Sequence, residues 1–409
     1  MLKLRRATVI DAGPSDGPEQ ELTTELDGRR RAAIADVALV GAAQPGDEVI
    51  VNTQALDLSL GSGGYDIVHV NLTHGLSGDG DPNSAHPRVM KLGYTSIQHA
   101  VRPVEDEPLN LPLERPVAVL ALHGQLAPVA WAFAQTHGAQ TRLGYVQTEG
   151  GALPGGHSHT VAQLRERGLL AGHLTAGPAY GGEGEAITVA GALHHGLERL
   201  GWDAAVCGPG PGILGSGTPL GHGGMAALDS AHVALALGCR TLLVARMSSG
   251  DPRSRHRGIS HHTLTVLDLL LAPVTVALPA GMRSPVGADL RAGLGSVFGG
   301  ALGSRPGLAL DGERPTARGP AGITRHDWRR AAVDLPAYAA SGLPAQTMGR
   351  GLTEDPLFFG AALAGGGALA ELAELVDPPA SSVAASASSG IRAERRGAGA
   401  RETDAKLGV

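Results

Sequence analysis

Over the first hundred or so residues, apolar and polar positions alternate with a period near two. Ala7-Thr-Val-Ile10, Glu21-Leu-Thr-Thr-Glu-Leu26, Arg31-Ala-Ala-Ile-Ala-Asp-Val37, Glu48-Val-Ile-Val-Asn52 and Asp66-Ile-Val-His-Val70 are short strand candidates, parted by turns such as Pro45-Gly46-Asp47. Five short strands with little helix predict a small β-barrel-like module over residues 1–112. From Pro116 the period changes. Apolar runs at 117–122, 142–146, 172–176, 204–207, 241–245 and 274–278 alternate with helix-length patterns near 127–138, 158–168, 184–201, 223–238 and 260–271. That alternation predicts an α/β domain with a mainly parallel, doubly wound sheet and right-handed crossovers, spanning 113–375 with a C-terminal extension. The pattern weakens after Pro279 and returns at His326-Asp-Trp328, Met348-Gly-Arg350 and Asp355-Pro-Leu-Phe-Phe359. Residues 376–409, rich in Ala, Ser, Gly and Arg, read as a disordered tail.

Composition sharpens this picture. Hydrophobic residues at 43% and charged residues at 18% describe a folded chain, and aromatics at 3% leave its core to Ala, Val, Leu and Ile. A net charge of -6 gives no general attraction for nucleic acid or an anionic membrane, so any basic site is local. Cys207 and Cys239 lack metal-type spacing and read as thiols of a reducing compartment. With no apolar run after Met-Leu-Lys-Leu-Arg-Arg6 and no long uninterrupted apolar stretch, the expectation is a cytoplasmic protein without membrane contact. Homo-oligomer formation stays open.

The local basic site is Arg246-Met-Ser-Ser-Gly-Asp-Pro-Arg-Ser-Arg-His-Arg-Gly-Ile-Ser-His-His262, between a strand pattern and a helix pattern. Guanidinium and imidazole groups this dense repel unless an anion, a metal or a carboxylate lies among them. The expected partner is a small anionic ligand, phosphorylated or otherwise, held by Arg246, Arg253, Arg255 and Arg257. His256 or His261 is then the acid or base, with His123 joining from the end of the first α/β strand and Asp251 orienting a histidine or holding a cation. The alternative is a solvated basic loop. Gly208-Pro-Gly-Pro-Gly-Ile-Leu-Gly-Ser-Gly-Thr218 offers backbone amides at Gly210 and Gly212 and hydroxyls at Ser216 and Thr218 as an anion cradle, without the Lys-Ser/Thr ending of a Walker loop.

Two further loops, with Glu149 and Gly150 and with Gly181 and Glu183, either approach a ligand or merely turn a strand into a helix. Adjacent residues on a helix diverge by about 100°, which sets His261 and His262 against sharing one metal. A divalent cation is admitted and no cofactor is assigned. The reading is an enzyme acting on an anionic small molecule at the carboxyl edge of the sheet; the alternative is a non-catalytic sensor or scaffold using the same pocket.

These motifs carry a resemblance. Thr148-Glu-Gly-Gly-Ala-Leu-Pro154, Gly181-Gly-Glu-Gly-Glu-Ala186, the 208–218 loop and Asp251-Pro-Arg-Ser-Arg-His-Arg-Gly-Ile-Ser-His-His262 are similar to those of a bacterial family catalogued as domain of unknown function 3866. Val51-Asn-Thr-Gln-Ala-Leu-Asp-Leu-Ser-Leu-Gly-Ser-Gly-Gly-Tyr65, Met90-Lys-Leu-Gly-Tyr94 and Met348-Gly-Arg-Gly-Leu-Thr-Glu-Asp355 extend the likeness over roughly residues 5 to 370. The family pattern has Asp where this chain has Glu149 and Glu183, and Phe-Ala-Asp where it has Ser249-Gly-Asp251. The resemblance implies one recurring loop design and no activity.

Overall fold

The computed structural model describes residues 2–59, 63–76, 89–106, 108–137, 142–282 and 325–374. The tail expected over 376–409 and the weakly patterned stretch 283–324 lie outside the described residues. Strands β1 (Leu4–Ala12), β2 (Glu19–Leu26), β3 (Arg29–Asp36), β4 (Glu48–Asn52) and β5 (Asp66–Asn71) form a closed barrel in the order β1-β2-β3-β5-β4. Their alternation explains the closure: Ala7, Val9, Leu22, Val49, Val51 and Val68 are buried inside, while Arg6, Thr8 and Glu21 face solvent. Asp27 and Gly28, with φ of 52° and 73°, make the two-residue hairpin loop that Asp-Gly favours. Arg31 Nε and Nη2 donate to the buried Asp66 carboxylate at 2.5 and 2.8 Å beside the parallel β3–β5 seam.

A hairpin of β6 (Val89–Lys91) and β7 (His99–Val101) follows. The sheet strands are β8 (Pro116–Val119), β9 (Leu143–Thr148), β10 (Gly172–Ala176), β11 (Gly184–Ala186), β12 (Ala204–Pro209) and β13 (Arg240–Val244). After a short ribbon of β14 (Met247–Ser248) and β15 (Gly258–Ile259) come β16 (Thr275–Pro279) and β17 (Asp327–Ala331). The eight sheet strands lie in the order β11-β10-β9-β12-β8-β13-β16-β17, and every neighbouring pair is parallel. Helices Val189–His194, Ala226–Ala236 and His261–Leu269 bury one face, and helices Leu126–His137, His159–Glu166 and Pro356–Glu374 bury the other. The doubly wound α/β expectation therefore holds, together with the barrel.

Three elements depart from the sequence reading. The segment expected to lead straight into a helix at 184 is instead an edge strand paired with β10, and the helix begins only at Val189, where Thr188 Oγ1 accepts from Gly191 N at 2.9 Å. Three glycines at 181, 182 and 184 oppose helix formation, and the Thr188 cap sets a later start. Strand β17 resumes the sheet after the weakly patterned stretch. Helix Pro356–Glu374 is apolar on all sides because it is buried between the sheet and helix Leu126–His137, so it carries no 3.6-residue periodicity to read. It is long and apolar enough to cross a membrane, yet 89% of its most apolar window is buried inside the protein.

One buried histidine makes the fold sensitive to acid. His326 Nδ1 accepts from Val274 N at 3.2 Å and Nε2 meets Leu267 O at 2.8 Å, a pairing that uses the neutral ring completely. Burial lowers its pKa to about 4 against the opposing Leu267 carbonyl, and the Arg325 charge adds to the lowering. The unfolded chain therefore takes up this proton first. Its stabilisation is complete above about pH 6.5 and is lost as pH falls toward 4, on the order of 2 kcal/mol. Urea unfolding at pH 7 and 4.5 should show a smaller acid loss in His326→Gln than in the wild type; equal losses contradict this.

Candidate functional site

Strands β12 and β13 lie on either side of β8, so the loops that leave their carboxyl ends meet above it. Arg246 follows β13 directly, and its guanidinium is buried, with Nη1 donating to His262 Nδ1 at 2.8 Å and Nη2 reaching Met348 Sδ at 3.4 Å. The ribbon β14–β15 folds the arginine loop back, bringing His256 and the first turn of helix His261–Leu269 beside Arg246. Ser260 caps that helix, its Oγ accepting from His262 N at 3.2 Å and meeting His256 Nδ1 at 2.8 Å. From the other side comes the glycine loop. Ile213, Leu214, Gly215 and Gly217 face Arg246, Arg253, Arg255, His256, His262 and Met348 across a cleft of about 330 Å³.

Charge in this cleft is uneven. Asp251 is fully buried and accepts from Arg253 Nε and Nη2 at 2.9 and 2.8 Å and from Arg350 Nη2 at 3.2 Å, with Arg246 Nη2 at 3.8 Å. Burial alone would raise its pKa; the hydrogen bonds and charge of Arg253 more than reverse this and hold the carboxyl well below the usual range. Asp355, also fully buried, accepts from Ser248 Oγ at 2.5 Å, Ser249 N at 2.7 Å and Arg350 Nε at 3.1 Å. Arg255 has neither hydrogen bond nor ion pair among the described residues and lies against Gly217. Gly217, with φ of 85°, adopts a conformation that favours glycine; a Cβ there would stand 3.3 Å from Arg255 Nη2, a contact the flexible guanidinium can relieve.

The histidines gather beside this surplus of guanidinium. His222, at the end of the glycine loop, stacks on His262 with ring centroids 3.5 Å apart; His261 is 4.4 Å from His262 and 4.9 Å from His256. One nitrogen from each of His222, His261 and His262 lies within 4.8 Å of the others. The divergence expected of adjacent helical residues does not separate these rings. Both stand in the first turn, where no preceding turn restricts their torsions. Burial, followed by the Arg246 and Arg253 charges, lowers the His256 pKa to about 3. Burial and then His222 and Arg255 lower that of His261 to about 4, and His222 and His262 shift in the same direction, chiefly through burial. These imidazoles are neutral at pH 7. Arg246, lowered to about 10 by burial and by Arg253, stays charged.

The residues singled out from sequence thus divide. Arg246, Arg253, Arg255 and His256 line the cleft, and His261 adjoins it. Arg257 is exposed and donates from Nε to Asp251 O at 2.9 Å, holding the loop instead of facing the cleft. Asp251 is an ion-pair hub with both oxygens engaged. Gly212 is exposed with φ of 73° and open space around it, one residue before the cleft lining begins. Ser216 and Thr218 spend their hydroxyls on each other at 2.9 Å and on Gly221, closing the loop.

Gly150 and Gly210 have neighbours that explain them without a ligand. A Cβ on Gly150 would stand 2.4 Å from Gly223 O, and one on Gly210 would stand 2.3 Å from Ala152 O. Glu149 is exposed beside them. Gly181 packs on Gly155 and Gly156, and Glu183 pairs with Arg165 at 2.5 Å before the edge strand β11, so the 177–185 loop is not among the cleft residues. His123 lies in the interior, with Nε2 2.8 Å from Ser158 Oγ and Nδ1 3.3 Å from Tyr145 OH, and burial lowers its pKa to about 4. It does not line the cleft. The reading missed His222, Met348, Arg350 and Asp355; the late motif at 348–355 was their signal, and for His222 a single imidazole inside a run of glycines was the only hint.

The family model described as protein of unknown function (DUF3866) matches residues 32–366, most of the chain. The chain belongs to that family. The matched span of this DUF3866 member takes in the whole parallel sheet and both loops of the cleft. No curated protein and no solved structure matches the chain.

Proposed function

We propose that this protein is an enzyme acting on a phosphorylated or other anionic small molecule bound at the carboxyl edge of the parallel sheet. The observation that carries the reading is Arg255, an exposed guanidinium with no hydrogen-bond or ion-pair partner among the described residues, which lines the cleft with buried Arg246, where Asp251 and Asp355 are already engaged by Arg253 and Arg350. An anion between Arg255 and Arg246 completes the charge balance, and a cleft of about 330 Å³ suits a small ligand. His256 is the acid–base group in this reading. Its Nδ1 is held by Ser260, which leaves Nε2 to meet the ligand as a lone pair or as an N–H, according to tautomer. The free, buried thiols of Cys207 and Cys239 suit a cytoplasmic setting.

Thermal-shift screening of inorganic phosphate, pyrophosphate, nucleotides and sugar phosphates at constant ionic strength tests the reading, since a ligand of the folded state raises apparent stability with the logarithm of its concentration over Kd. Stabilisation by a phosphorylated class in the wild type, much reduced in Arg255→Ala, is expected. Stabilisation identical in the two proteins overturns the assignment, and a bound ligand that is never turned over indicates a sensor.

A further inference from the structure

The imidazole cluster calls for more than an anion. We propose that His222, His261 and His262 form a three-histidine site for a divalent transition metal of the zinc type, open on the side of the arginine cleft. They come from the glycine loop and from the first turn of helix His261–Leu269, which the strand order brings together, and all are buried, with one nitrogen of each within 4.8 Å of the others. His222 and His262 stack with their planes 11° apart, so shared ligation requires one of these rings to rotate until the in-plane lone pairs converge. Among the described residues Nε2 of His261 has no hydrogen-bond partner, and the two nitrogens of His222 have none of good geometry, the Pro219 carbonyl offering His222 only a poorly aligned contact. Buried polar atoms left so are costly, and a metal that takes their lone pairs removes the cost. Neutral imidazole is a ligand for zinc and its neighbours, and three protein ligands with one open position is the arrangement of catalytic zinc sites.

The guanidinium groups are consistent with this. In the metal-free protein Arg246 Nη1 donates to His262 Nδ1 at 2.8 Å, making that nitrogen the acceptor. Ligation through Nδ1 would displace the guanidinium, which would stay 3.8 Å or closer to the Asp251 carboxylate that Arg253 and Arg350 already share. Of the three, His262 lines the same cleft as Arg255, so a metal held there would supply Lewis-acid chemistry next to a guanidinium able to balance an anionic ligand. The site goes beyond the anion reading and can fail or hold separately from it.

Full-length protein stripped by chelator dialysis is titrated with Co2+ and Zn2+, following bound metal by elemental analysis and cobalt coordination by its visible ligand-field bands. One equivalent per chain with the intense bands of four-coordinate cobalt, displaced by Zn2+, is expected. His222→Gln and His261→Gln should each weaken Co2+ binding by at least about 100-fold, beyond the 10–100-fold typical of an outer-shell change. Arg255→Ala should keep the full equivalent while losing anion affinity, which separates this site from the anion reading. Absence of stoichiometric binding in the wild type, weak six-coordinate bands, or unchanged binding in both histidine variants overturns the proposal. Should either variant fail to fold by thermal unfolding, the wild-type stoichiometry and spectrum still decide.

Discussion

Asp251→Ala should destabilise the fold by about 3–5 kcal/mol, the range typical when one partner of a buried ion pair is removed. Its carboxylate is fully buried and accepts from Arg253 N, Nε and Nη2 and from Arg350 Nη2, between 2.8 and 3.2 Å. Without it, buried Arg246 keeps its charge with no described carboxylate as near, and Arg350, 15% exposed in its side chain, loses one of two carboxylate partners. The loop from 248 to 257 loses the group that its arginines organise. Urea unfolding at pH 7 measures the effect, with Arg257→Ala as the comparison: its exposed side chain makes one neutral-acceptor bond and should cost about 1 kcal/mol or less. A loss below about 1 kcal/mol in Asp251→Ala would show that the arginine loop is ordered by something else.

His256→Ala should lower turnover by about 10²–10⁴-fold on a substrate found by the anion screen, with a much smaller change in binding. The ring lines the cleft and is anchored by Ser260 at 2.8 Å, so removing it takes away the proton-transfer group while Arg246 and Arg255 remain. Ser260→Ala, which frees the ring to rotate but leaves it in place, should fall between wild type and His256→Ala in kcat. Steady-state kinetics separating kcat from KM read both. A kcat in His256→Ala equal to that of the wild type would remove His256 from the reaction.

Much of the architecture was legible because each half of the chain repeats one simple period. Alternation around Val49 and Val51 requires a one-sided strand, and the apolar runs ending at Val119, Thr148 and Val244 require strands covered on both faces. The β-branched and aliphatic runs gave the parallel sheet. Helix Pro356–Glu374 escaped because burial on nearly every side erases helical periodicity, and β11 escaped because a three-residue edge strand is shorter than any pattern.

At the site, the arginine loop was legible as local charge density. His222 was not, since it meets His262 only because β12 and β13 flank β8, a fact of strand order that no local window holds. The glycines misdirected for a related reason. Those at 150, 210 and 223 allow backbones of two loops to touch, and sequence does not distinguish a loop approached by another loop from one approached by a ligand. Glu183 looked like a site carboxylate for want of seeing Arg165, which precedes it by one strand.

The central claim is that Arg255 and Arg246 hold an anion in this cleft. Isothermal titration of pyrophosphate into wild type, Arg255→Ala and Arg257→Ala at fixed ionic strength tests it most directly. The account predicts saturable binding to the wild type, affinity at least about tenfold lower in Arg255→Ala through loss of a charge-assisted contact, and wild-type affinity in Arg257→Ala. Equal affinity in all three proteins, or no saturable binding to any of them, would contradict it.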